Sequence, residues 1–254
     1  MKTSNIFEDY NVSDSNAYLS LAPKMKQAVK EFWEGRAKRL GKNEGDLGMW
    51  QSTSLTATEI DANQRRDLEI VALEEALKVL PNTQVLSLLD IGCGTGRLTV
   101  PLAEHFKEVY ATDFMQSFLD LAKQNAIEAD QNNITFLSSQ SHEVDPHWKY
   151  QCCTICGVLL CLDDSSYRKT LHTAQKADYV IVKESVGVAA RYELKDHFSE
   201  ALQTKYNAIY RSRAEIIHDF QCAGFTVLMD ELVEAHREET NIRIFVFARN
   251  KNSN

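Results

Sequence analysis

The sequence predicts an α/β protein built on a parallel, doubly wound sheet, and three observations carry that expectation. From residue 85 onward, short apolar runs alternate with amphipathic helical patterns. One run, Leu88-Leu89-Asp90-Ile91, feeds the loop Gly92-Cys93-Gly94-Thr95-Gly96 and reopens as a helix from Arg97. Such a turn brings bare backbone and the first N–H groups of a helix up to a ligand. The next run, Val109-Tyr110-Ala111-Thr112, ends at Asp113, an acid placed at the carboxyl edge of the sheet, where ribose hydroxyls are bound.

Taken in order, residues 1–20 are polar and irregular. Met25, Val29, Phe32, Trp33, Ala37 and Leu40 then recur at helical spacing, with lysines and arginines around the rest of the helix. The segment 43–58 has no periodicity but holds Gly45, Gly48 and Trp50; it reads as a loop placed to serve as a lid. A helix over 59–80 puts Leu68, Val71, Leu77 and Leu80 on one face and stops at Pro81. Strands are expected at 85–90, 108–112, 134–138, 151–156 and 178–183, with helices at 97–106, 115–126 and 165–175. Residues 185–209 are less regular. Ser212 to Ala223 reads as a helix ended by Gly224, and Phe225–Met229 with Ile242–Ala248 as a closing hairpin. The domain reading is an N-terminal helical extension and lid over 1–60 and a catalytic domain over 61–254.

Composition narrows the partners. A chain of 254 residues with 44% hydrophobic content supports one substantial α/β domain plus an appendage. Its formal charge of −8 opposes a nucleic-acid surface, which needs a basic stripe, and suits a cationic substrate. The first residues lack the apolar core of a signal peptide, and no run approaches the ~20 apolar residues of a membrane span. No membrane partner and a cytoplasmic location are the expectation. Cys152, Cys153, Cys156 and Cys161 invite a zinc reading, yet the first three fall in a strand that sends alternate side chains to opposite faces. No metal is expected.

Two cofactor classes compete for the glycine loop. A dinucleotide loop reads G-x-G-x-x-G, whereas here the glycines alternate as G-x-G-x-G behind Asp90. That acid repels a pyrophosphate and suits a ligand carrying an ammonium and a sulfonium. The run Asp90 to Arg97 resembles motif I of class I S-adenosylmethionine-dependent methyltransferases. The resemblance implies a Rossmann-like sheet of seven strands with the last pair antiparallel. It also implies S-adenosylmethionine as cofactor and S-adenosylhomocysteine as product, held by Asp90, Gly92, Gly94, Gly96, Asp113 and the adjoining Phe114. In this architecture the loop after the third strand receives adenine, so Gln140 or Ser141 would meet the base, and Cys156 at the end of the fourth strand would line the site.

The likeness extends, unevenly over residues 25–250, to the protein α-N-terminal methyltransferases, which methylate the exposed amine of Xaa-Pro-Lys termini. Phe32-Trp33 is similar to that family's Tyr-Trp, Gly48-Met49-Trp50 with Ser54, Ile60-Asp61 and Asn63 to its lid, and Ala223-Gly224-Phe225 with Phe245-Val246-Phe247-Ala248-Arg249 to its end. The resemblance gives Arg97 the methionyl carboxylate of the cofactor to grip. It implies an amine-bearing substrate, a peptide or protein N-terminus, met by Trp33, Gly48, Trp50, Cys161 and Ser185. The departures fall at the acceptor: Cys161 stands where the family has histidine, Ser185 where it has asparagine, and its catalytic aspartates lack a counterpart. Asp163, Asp164, Glu184 and Tyr192 are the candidates for handling the acceptor's proton. A small-molecule methyltransferase on the same fold is the alternative, and a cofactor-binding module without catalysis is the alternative from another class.

Overall fold

A computed structural model describes residues 27–35, 59–199, 204–235 and 238–250. The lid segment with Gly48 and Trp50 lies outside them. Helix α1 covers 27–35 and α2 covers Glu59–Lys78. The core then runs β1 (Ser87–Ile91), α3 (Thr99–Ala103), β2 (Glu108–Asp113), α4 (Gln116–Glu128), β3 (Ile134–Ser138), β4 (Cys152–Cys156), α5 (Asp164–Ala174) and β5 (Tyr179–Gly187). After β6 (Tyr192–Ser199), β7 (Thr204–Tyr210) and α6 (Arg213–Cys222), it closes with β8 (Phe225–Glu234) and β9 (Thr240–Arg249).

Seven strands form one sheet in the order β3-β2-β1-β4-β5-β9-β8. Pairing is parallel from β3 through β5, and β9 runs antiparallel to both β5 and β8. The expected fold is therefore present. Alternation along each strand separates two apolar layers. Leu88, Cys152, Ile181, Ile244 and Val246 face α2 and Leu102 of α3, whereas Leu89, Cys153, Val180, Val182, Phe245 and Phe247 face α5 and α6. Phe220 of α6 stacks on Phe247 at 4.1 Å and meets Phe225 edge-on at 5.9 Å. Cys152 and Cys153, buried in opposite layers, pack as small apolar side chains.

Three expectations need correction. Leu68 and Val71 are 48% and 54% exposed, and α2 instead buries Glu69, Leu73 and Ala76. The periodicity was displaced by a carboxylate that has cationic partners inside. The helix expected over 97–106 is regular only across Thr99–Ala103, so the glycine loop has little regular helix behind it. The irregular stretch 185–209 contains the end of β5 and a separate two-stranded antiparallel sheet, β6 with β7. Its root is fixed by the Gly187–Ser212 bridge and by the Gly187 N–H donating to Arg211 O at 3.1 Å.

Candidate active site

The carboxyl ends of β1, β2 and β4 surround a cleft, as parallel connections dictate. The glycine loop is tied to the end of β2, where Thr112 O accepts the N–H groups of Gly92 and Cys93 at 2.7 and 2.9 Å. Its three glycines all hold positive φ, for different reasons. Gly92 (φ +75°) slides beneath the turn after β4, where an added Cβ would stand 2.3 Å from Val158 Cγ2. Gly94 (φ +55°) has nothing within 4 Å of such a Cβ, so its backbone borders open space that a side chain would fill. Gly96 lies against Ala122 of α4. Across the cleft, Gly157 at the end of β4 is equally open.

Asp113 stands beside this cradle. Its carboxylate accepts the Gly94 N–H at 3.0 Å and the Met115 N–H at 2.8 Å. Burial pushes its pKa up to about 6, the two backbone donors offset part of that, and the neighbouring Asp90 adds to it. Phe114 is half-buried next to it. Gln140 is exposed beyond β3, whereas the Ser141 hydroxyl is shared with Thr170 at 2.7 Å. Cys156 closes β4 with a thiol that burial pushes up to about 12.

Two residues expected at the cofactor are turned elsewhere. Asp90 is buried and accepts the hydroxyls of Thr99 at 2.6 Å and Thr154 at 2.7 Å; it fastens the loop from below. Burial raises its pKa and the two hydroxyl donors oppose that. Arg97 is paired with Glu69 of α2, which also holds Lys183 of β5.

Helix α1 meets the α4 side and the turn after β4 through Trp33. Trp33 meets the ring of Phe118 edge-on at 5.9 Å, and its indole hydrogen-bonds the Cys161 thiol. Burial pushes that thiol up to about 12, and the fields of Glu184 and Asp113 add to the shift. Trp33 and Cys161 are thus in direct contact. Ser185 is half-buried at the same strand end, its N–H donated to Glu184 Oε1 at 2.9 Å.

The four candidate acceptor groups separate. Glu184 is buried, with Oε2 accepting the Leu159 and Leu160 N–H groups at 2.7 and 3.3 Å, so it shapes the turn after β4. Burial lifts its pKa to about 7 despite those donors. Asp163 caps α5 through the Ser166 N–H at 2.7 Å, and its other oxygen is buried with no partner among the described residues. Asp164 is bound by Arg191 at 2.9 Å and Arg211 at 2.6 Å. Tyr192 stacks on Tyr210 at the hairpin root, 5.8 Å between ring centres.

Sequence reasoning missed Glu69, Lys183 and Arg211. Arg211 is fully buried, donates to Leu159 O at 2.8 Å and Leu162 O at 3.1 Å, and lies 3.9 Å over the Tyr167 ring. The available signal for Lys183 was a lone cation inside an otherwise apolar strand, Tyr179-Val180-Ile181-Val182-Lys183. Among the described residues no group of three or more His, Cys, Asp and Glu is arranged for a metal, and no helix is long and apolar enough to cross a membrane.

Residues 88–177 match the family described as methyltransferase domain. A putative methyltransferase of Geobacillus sp. (strain WCH70) is 30% identical over 138 residues, 52% of this chain and 54% of that protein. An uncharacterized RNA methyltransferase of Staphylococcus aureus (strain MSSA476) is 34% identical over 93 residues, 37% of this chain and 20% of that protein. The chain thus spans about half the length of one curated relative and a fifth of the other. Magnesium protoporphyrin IX methyltransferase from Synechocystis PCC 6803, solved with bound S-adenosylmethionine, shares the fold with a TM-score of 0.64 at 19% identity, covering 89% of this chain and 97% of that one.

Proposed function

We propose that this chain, built on a methyltransferase fold, is an S-adenosylmethionine-dependent methyltransferase whose acceptor is a small molecule. The observation that carries the cofactor is the cradle between Gly94 and Gly157 with the Asp113 carboxylate at its rim. The donor set fits. Bare backbone allows close approach, and a carboxylate at the end of β2 accepts ribose hydroxyls while its charge favours a cation. When bound, S-adenosylmethionine supplies an electrophilic methyl group. The chain's residues would then orient donor and acceptor and keep water out, with Trp33, Phe118 and the turn after β4 forming the wall.

A small acceptor is supported by the Trp33–Cys161 and Trp33–Phe118 contacts, which bring aromatic bulk to this edge. The net charge of −8 speaks against RNA. A second reading, methylation of a peptide α-amine, draws on Trp33, which matches the α-N-terminal family's motif and lies at the cleft. A labelled-methyl assay on a small-molecule panel, an Xaa-Pro-Lys peptide and an RNA pool tests these readings. Transfer to small acceptors alone is expected; transfer to the peptide or RNA alone overturns the small-molecule reading.

The cofactor site also has a pH signature. Ionised Asp113 holds ribose hydroxyls and a cation better than its neutral form does, so affinity for S-adenosylmethionine should rise as pH climbs through about 6 and level off above it. Asp113→Asn should flatten this profile and weaken binding by about 1–3 kcal/mol. Calorimetry from pH 5 to 8 checks it, and a flat wild-type profile counts against Asp113.

A further inference from the structure

The solvent face of α5 is basic on a chain whose formal charge is −8. Its inner face packs Tyr167, Leu171 and Ala174 into the core. On the outer face Arg168, Lys169 and His172 are exposed and fall within an arc of about 100°. Lys176, exposed just beyond the helix end, extends the row. From Ser165 to Ala177 the chain has no acidic residue. Asp164, one turn before Arg168, is committed to Arg191 and Arg211, and Arg168, Lys169 and Lys176 have no ion-pair partner among the described residues. The other helices differ. Exposed Asp67, Glu74, Glu75 and Lys78 mix signs on α2, as Asp120, Lys123 and Glu128 do on α4, while Lys30 of α1 is paired with Glu34 and Arg213 of α6 with Asp230. The helix dipole favours His172 and Lys176 near the C-terminus of α5 but gives no support to Arg168 and Lys169 nearer its start.

We propose that this face of α5 is a docking surface for an acidic segment of another protein. At about 1.5 Å per residue the row from Arg168 to Lys176 spans about 12 Å, the reach of about four residues of extended chain. Carboxylates on such a segment meet cations that are not already paired, so docking gains attraction without breaking an ion pair. Nucleic acid fits the row less well. It is short of the roughly six to ten phosphate contacts on which such binding rests, and the acidic remainder of the chain repels a polyanion that runs past it. A contact led by exposed charge forms quickly and loosens with salt.

Fluorescence anisotropy of the full chain with a fluorescein-labelled polyglutamate peptide tests the surface. The wild type should bind at about 50 mM salt and weaken about threefold or more by about 200 mM. Combining Arg168→Glu, Lys169→Glu and Lys176→Glu should weaken binding about tenfold or more. Three exposed lysines elsewhere supply the control: Lys107→Glu, Lys123→Glu and Lys205→Glu together make the same change in net charge and should weaken it about threefold or less. Equal losses in the two combinations would show that the peptide answers to net charge rather than to α5, and overturn the proposal. If a thermal melt shows the α5 combination unfolded, Arg168→Gln, Lys169→Gln and Lys176→Gln are read in its place. A loss of about threefold or more is then expected, and wild-type binding overturns the surface. No binding by the wild type at the lower salt also overturns it. A labelled single-stranded RNA bound more tightly than the peptide overturns the acidic-protein partner in favour of nucleic acid.

Discussion

Gly94→Val is expected to abolish detectable binding of S-adenosylhomocysteine, with Kd rising about a hundredfold or more, while the protein stays folded. The added side chain meets nothing in the protein, since no atom lies within 4 Å of its Cβ position. What it fills is the space in which a ligand would approach the backbone. The remaining cost is the strain of a β-branched residue at φ +55°, about 1–3 kcal/mol. Gly92→Val should show the reverse balance, because its Cβ would collide with Val158 and the penalty falls on folding. Thermal melts beside calorimetry separate the two. Wild-type affinity in Gly94→Val would move the cofactor away from this loop.

Arg211→Met should be the most destabilising single change near the acceptor side, about 3–5 kcal/mol, which for a domain of this size lowers Tm by roughly 10 °C. Arg191 still holds Asp164, so the loss does not come from that carboxylate. It comes from the Leu162 carbonyl, left without a donor, from the Leu159 carbonyl, left with the Leu162 N–H alone, and from the vacated face of Tyr167. The turn carrying Cys161 and Asp163 is pinned by these bonds. Turnover should therefore fall further than cofactor affinity in the variant. A Tm within about 2 °C of wild type would show that the turn is held by other contacts.

The sheet and its cofactor edge were legible because their signals are local. Leu88 to Gly96 encodes strand, loop and close approach within nine residues, and Asp113 ends the next apolar run. Glu69 was hidden because its partners arrive from 28 and 114 residues away; on α2 alone it resembles any solvent-facing glutamate. The β6–β7 hairpin was hidden because Tyr192-Glu193-Leu194-Lys195 breaks its alternation at Asp196, a residue at φ +48° where the register shifts. Asp164 and Glu184 looked like candidates because a sequence shows which carboxylates lie near a strand end. It does not show that Arg191 and Arg211 surround one of them, or that backbone N–H groups occupy the other.

The place of β9 in the sheet bears on how the chain is made. It pairs with β5 along nine residues and with β8 on its other side, yet it is translated after both. Until residue 249 has left the ribosome, β5 has an open edge, and the aromatic surface of Phe220 and Phe225 lacks Phe247 to cover it. The nascent chain therefore carries an open strand edge from the completion of β5 until β9 is made, and closing the sheet is a late, long-range event.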